Sequence, residues 1–223
     1  MQPQADPFIV PVCHQEIEIL YQDQYLLLIN KPSGLLTLWG KHPLNKDSVH
    51  FRLLKDFPTA SMIHRLDFGT SGILIVALNK QVNAHLCKQF QERNIVKAYM
   101  AILHGHLAEN EGCIEFPVAK DRANFPLQKI CYATGKAALT RYQLVEHQQA
   151  SFSSRVIFKP LSGRTHQLRI HSQAIGHPIL GCDLYATDEA FFMAKRLMLH
   201  ATGIEFDHPI TGERINALSP CPF

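Results

Sequence analysis

MIHRLDFGTSGILIVAL, residues 62–78, sets a histidine, an arginine and one carboxylate ahead of Thr70-Ser71-Gly72, and an unbroken apolar run follows. Residues 73–78 are few, apolar and rich in β-branched side chains, which predicts a buried strand. Thr70, Ser71 and Gly72 can satisfy local backbone groups and bend the chain into that strand. A loop mounted on a rigid strand is a good support for one reactive side chain. Asp67 would project from the loop, with Arg65 two residues before it. Taken alone, an Arg-x-Asp reads as a surface ion pair worth about 0–1 kcal/mol, so the rest of the chain has to decide its meaning.

Upstream, residues 16–21 and 25–30 read as two strands joined by the polar turn Gln22-Asp23-Gln24, and Lys31-Pro32-Ser33-Gly34 breaks the second. Residues 47–56 read as a short helix with Val49, Leu53 and Leu54 on its buried side. Downstream, Asn79 is an N-cap for a helix over 80–93, where Val82, Leu86 and Phe90 recur every fourth residue. Residues 95–103 form a strand whose two-residue period puts Lys97, Tyr99 and Ala101 on one face. Further strands fall at 139–145, 155–159, 178–180 and 198–206. Gly163 and Arg164 lead into a helix over 165–175, ended by Gly176. Strands and helices mix without a regular βαβ alternation, so the expected class is α+β with a mixed, largely antiparallel central sheet flanked by helices. Prolines at 3, 7 and 11 suggest an extended arm over residues 1–15, ahead of a single catalytic domain over 16–223.

The composition is that of a core-forming globular protein: 223 residues, 46% hydrophobic and 18% charged. No apolar run approaches the ~20 residues that span a bilayer, and residues 1–12 lack the pattern of a signal peptide; the expectation is a cytoplasmic protein without a membrane partner. The six cysteines form no CxxC pair, so they read as reduced structural thiols. His166 and His171 are five apart, and there is no HExxH, GxGxxG or P-loop motif; neither a metal nor a cofactor is expected. Charge is uneven. Residues 1–30 hold four acids and no Lys or Arg, while residues 117–172 hold nine Lys and Arg against two acids. A basic middle of this kind suits either a solvated surface or a polyanion, and Lys120, Arg122 and Lys129 are its candidate docking residues.

The segment His64-Arg65-Leu66-Asp67, two residues, then Thr70-Ser71-Gly72 resembles the HRLDxxTSG signature of the RluA family of pseudouridine synthases. Other segments match in the same order. Residues 30–35, NKPSGL, resemble the family's NKPxG segment; residues 97–101, KAYMA, its KxYxA strand; and residues 163–171, GRTHQLRIH, its GRTHQLRxH segment. The resemblance covers nearly the whole chain and leaves no room for the S4 domain that some relatives carry. Length and flanking sequence look most similar to the short family members that modify both 23S rRNA and the tRNA anticodon loop. One departure is visible: where the family has Gly-Asp-x-x-Tyr, this chain has Gly181-Cys182-Asp183-Leu184-Tyr185. Contacts of the family's Asp do not transfer to Asp183 on sequence alone.

The resemblance implies an isomerase that converts uridine to pseudouridine in RNA. The N1–C1′ bond breaks, uracil rotates, and C5 bonds to C1′. One carboxylate can trap or stabilise the electron-poor sugar carbon; addition at C6 of the base and proton abstraction from the sugar stay open. By resemblance Asp67 is that carboxylate, Tyr99 lies against the target base, and Arg169 keeps Asp67 ionised in a base-sized pocket. Arg65 is implied to lie at the mouth of the site, where it braces the gap left by an extruded base. His64, Lys97 and Arg164 are expected RNA contacts. His166 and Gln167, with Arg164, shape the loop. A catalytically idle RNA-binding module would have no use for a buried carboxylate, and a hydrolase would want a second one that no motif supplies. The substrate expected is a 23S rRNA or tRNA stem-loop, bound by a monomer.

Overall fold

A computed structural model describes residues 9–40 and 42–223. The predicted arm therefore lies outside the described residues for positions 1–8, and residues 9–17 carry no regular element. The described residues pack as two compact units, one holding those up to Ile95 together with Glu205–Ser219, the other Val96–Ile204 with Pro220–Phe223.

The first unit opens with strands β1 (Glu18–Gln22) and β2 (Leu26–Lys31). The Asp23 carboxylate makes their turn by accepting from the Tyr25 and Leu26 amides at 2.7 and 2.8 Å. After helix α1 (Val49–Leu53), capped by the Ser48 hydroxyl, come β3 (Ser61–Met62) and β4 (Ser71–Ala77). β2 pairs antiparallel with β1 and β4, and β3 pairs antiparallel with β4; a single parallel bridge joins Leu36 to Ser48. Every residue of β4 is buried. A strand covered on both faces carries no alternation, which is why residues 73–78 read as continuous apolar sequence. Helix α2 (Lys80–Glu92) packs on β3 and β4. Its cap is Asn79, which accepts from the Val82 amide at 2.9 Å. Val82 and Leu86 are buried as expected, but the third inward position is Gln89, with Phe90 only half-buried. Gln89 is accommodated because its amide group both donates to and accepts from the backbone of Asp207, at 2.7 and 2.9 Å.

The second unit starts with β5 (Val96–His104), β6 (Glu111–Glu115), the hairpin β7 (Val118–Lys120) and β8 (Gln128–Ile130), β9 (Leu139–Gln148) and β10 (Ser153–Pro160). The antiparallel order is β5-β10-β9-β6, with β7–β8 as a separate ribbon. Helix α3 (Gln167–Ala174) packs on β8, and α4 (Asp188–Phe192) follows. The core gathers Leu103, Val156, Phe158, Leu168, Ile179 and Leu199 among others. Strand β11 (Leu199–Asp207) runs from the second unit into the first, where β12 (Arg214–Leu218) ends the set. The class is α+β, with a largely antiparallel sheet and few helices.

Two local expectations need correction. Residues 178–180 form no strand; Ile179 makes one isolated bridge to Leu103, because Pro178 interrupts the donors on one side and Gly181 turns the chain on the other. Helix α3 begins at Gln167 and not at 165, since His166 takes a left-handed conformation at φ 54° and cannot belong to the helix.

Candidate active site

In the first unit the Asp67 loop is fastened residue by residue to the segment after β2. The Thr37 hydroxyl donates to the Leu66 carbonyl at 2.9 Å and accepts from the Leu66 amide at 3.2 Å. The Phe68 carbonyl accepts from the Gly34 amide at 2.9 Å and from Lys31 Nζ at 3.2 Å. The Ser33 hydroxyl donates to the Gly69 carbonyl at 2.7 Å, and the Thr70 amide closes the turn on the Asp67 carbonyl at 3.1 Å. Gly34 can serve here because its φ of 77° suits only glycine without strain. Lys31 is wholly buried, and its ammonium also donates to the carbonyls of Pro32 and Leu35 at 2.9 and 2.7 Å. The segment read as a strand breaker is thus a clamp that holds the backbone after Asp67, and Thr37 holds it before. The Asp67 side chain itself is half-buried, and Arg65 is exposed.

His64 has a role in the fold. Its Nε2 accepts from the Ile75 amide at 3.1 Å, so that nitrogen carries no proton, and its ring lies 4.9 Å from that of Phe90.

In the second unit Lys97 and Tyr99 project half-buried from β5, and Tyr99 stands opposite Phe158 of β10. Burial pushes the Lys97 ammonium below its ordinary pKa. Arg169 lies buried on α3. Its Nε donates to Cys182 Sγ at 3.3 Å, its Nη2 donates to the Asp183 carboxylate, and its guanidinium carbon lies 5.3 Å from the centre of the Tyr185 ring. The Tyr185 hydroxyl meets His166 Nδ1 at 2.8 Å and accepts from the Gln128 amide at 2.8 Å.

The loop before α3 is locked by Gln167. Its carbonyl oxygen accepts from the Ser162 hydroxyl and the Arg164 amide at 2.8 and 2.9 Å, and its amide donates to Leu139 O and Thr140 Oγ1 at 3.1 and 3.0 Å. Arg164 Nε and Nη2 both donate to the Ala137 carbonyl, at 3.1 and 3.0 Å. Gln167 and Arg164 thus hold the loop to the segment 137–140, and His166 meets Tyr185.

The basic candidates lie on or beside the β7–β8 hairpin. Lys120 and Arg122 are exposed, while Lys129 reaches the Asp121 carboxylate at 3.6 Å. Two aromatic side chains missed in the sequence sit in this segment: Phe125 and Tyr132 are 72% and 77% exposed. Aromatic residues interleaved with basic ones were the available signal. Among the described residues no group of three or more His, Cys, Asp or Glu is arranged to hold a metal, and no helix is long and apolar enough to cross a membrane.

Residues 25–174 match the family model described as RNA pseudouridylate synthase. The dual-specificity RNA pseudouridine synthase RluA of Yersinia pestis is 50% identical over 194 residues, covering 87% of this chain and 94% of that protein. The protein of the same name from Escherichia coli strain K12 is 44% identical over 221 residues, covering 99% and 97%. The structure of human RNA pseudouridylate synthase domain containing 1 superposes with a TM-score of 0.80 at 32% identity, covering 96% of this chain and 86% of that one. A matched family model over most of the chain, with relatives this similar from end to end, settles the class: the chain belongs to the RNA pseudouridylate synthase family and is an isomerase of the RluA type acting on RNA.

Proposed function

We propose that the chain isomerises specific uridines in stem-loops of 23S rRNA and in the tRNA anticodon loop, acting as a cytoplasmic monomer without a cofactor. Asp67 is the catalytic carboxylate. Arg169 favours its ionised form and so offsets the cost of placing an anion in a base-sized pocket. Tyr99 lies against the target base, and Arg65 fills the gap the flipped nucleotide leaves. The exposed Lys120 and Arg122, with Lys129, neutralise RNA phosphates.

The observation that carries this reading is the Asp67 loop. A single carboxylate sits on backbone that is tethered on both sides, in a segment whose residues match the family signature one by one. Such fixing suits a group that must meet one atom of a substrate and is more than docking requires. The names of the two bacterial relatives, dual-specificity RNA pseudouridine synthases, support more than one kind of RNA site as substrate. The test is pseudouridine mapping on 23S rRNA and tRNA from a deletion strain, with and without the gene restored. Sites in both RNAs should vanish and return together. Loss confined to one RNA would limit the substrate to it, and loss in neither would refute the assignment.

A further inference from the structure

The side chain of Arg169 is 5% exposed, while that of Asp183, its ion-pair partner, is 62% exposed. A pair open to water on one side adds little to stability, so its value has to be sought in geometry. Guanidinium is a planar fork. Cys182 Sγ and the Asp183 carboxylate grip the edge formed by Nε and Nη2, and the Tyr185 ring bounds the face. Edge and face together fix both the rotation and the plane of the group, and turn the Nη1 end the other way. The two gripping residues are consecutive in the chain and follow directly on the turn at Gly181, whose φ is +68° and where an added Cβ would stand 1.9 Å from the Arg196 carbonyl oxygen.

We infer that Asp183 is a positioning residue for the isomerisation: through its hold on Nη2 it aims the Arg169 guanidinium. This rests on the proposed role of Arg169 in keeping the reactive carboxylate ionised. Asp183 touches neither the base nor the sugar in this scheme. It acts on the arginine, with Cys182 holding the adjacent nitrogen and Tyr185, itself tied to His166, supporting the plane.

Single-turnover tritium release from a stem-loop RNA labelled at uridine C5 tests the inference in Asp183→Ala, Asp183→Asn and Asp183→Glu, with Arg169→Ala as reference. Residues that orient a group in direct contact with the chemistry are typically worth about 10–100-fold. Asp183→Ala should therefore slow the chemical step about 30-fold, and Asp183→Asn somewhat less. RNA affinity and melting temperature should stay near wild type, and Asp183→Glu should recover most of the rate. The acidic limb of the pH–rate profile adds a readout of opposite sign for the rival account. If Asp183 aims Arg169, its loss loosens the cation and the limb moves to higher pH. If Asp183 acts only as a nearby negative charge, its loss moves the limb to lower pH. An unchanged rate in Asp183→Ala, or a limb that moves down, overturns the inference while leaving the role of Arg169 intact if Arg169→Ala is inactive. A fully active Arg169→Ala overturns both.

Discussion

The ammonium of Lys31 donates to the carbonyl of Phe68, the residue that follows Asp67, at 3.2 Å. A charge buried this deeply is tolerated because three carbonyls replace its water. Replacing it with the apolar Met should leave those carbonyls without the donor and cost about 2–4 kcal/mol. Urea unfolding checks this, and a midpoint equal to wild type would refute it. Activity in Lys31→Met should fall as well, through displacement of the loop.

Asp67→Asn removes the charge and keeps the shape. Stability should change by less than about 0.5 kcal/mol, since the bonds that fasten the loop end on its main-chain groups, which the substitution keeps. Pseudouridine formation should disappear while RNA still binds. Tritium release beside a filter-binding titration gives both answers, and near-normal turnover would remove Asp67 from its role.

Arg65 is exposed and can stack on bases while its donors reach phosphates. Arg65→Ala should mainly slow extrusion of the target from a folded stem-loop, and an RNA already open at that position should be modified at close to the normal rate. Stopped-flow fluorescence of 2-aminopurine beside the uridine follows the step. Extrusion at wild-type speed with slowed chemistry would mean that Arg65 serves Asp67 instead.

Charge reversal on the hairpin should weaken RNA binding in a salt-dependent way. Lys120→Glu and Arg122→Glu should each lower the slope of log affinity against log salt by about one. Lys129→Glu should also disturb the hairpin, because it sets a carboxylate beside Asp121. Titrations at several salt concentrations decide, and unchanged slopes would place the docking surface elsewhere.

His171 sets a lower pH bound on stability. Burial holds its pKa below the ordinary value near 6.5, against a smaller opposing effect of the hydrogen bond to the Phe116 carbonyl. Its Nε2 meets that carbonyl at 3.0 Å and its Nδ1 meets the Thr140 hydroxyl at 3.0 Å, an arrangement that suits the neutral ring. The unfolded chain takes up a proton as pH drops below about 6.5, while the folded chain does so only at lower pH. This contribution is complete above about 6.5 and is lost on acidification, at no more than about 1.4 kcal/mol per pH unit. His171→Gln should flatten the stability curve between pH 6.5 and 5, and an equally steep curve would assign the loss to other groups.

The buried strand β4 and the capped helix α2 could be read from local pattern, because period and cap lie within a few residues of one another. The short elements could not. β8 has three residues and α4 has five, too few for either period to register. The start of α3 depends on a histidine in a left-handed conformation, which no neighbouring residue announces. At the site, Asp67, Tyr99 and Arg169 stand in recognisable segments. The Ser33 and Lys31 tethers join residues 36 and 37 positions apart, so their partners are invisible in the sequence. The same holds for Asp183, whose contact with Arg169 depends on how the chain turns at Gly181.

The hydrogen bond from the Gln128 amide to the Tyr185 hydroxyl is demanding at one end and indifferent at the other. On the hairpin the donor is main chain, so any residue except proline can supply it. At position 185 the acceptor is a phenol oxygen, which phenylalanine would lack. The hairpin is therefore free to diverge in sequence without loosening the ring beneath Arg169. Side chains over residues 120–130 can change the surface of the hairpin and keep this contact, whereas at position 185 the contact needs an oxygen at the end of the ring.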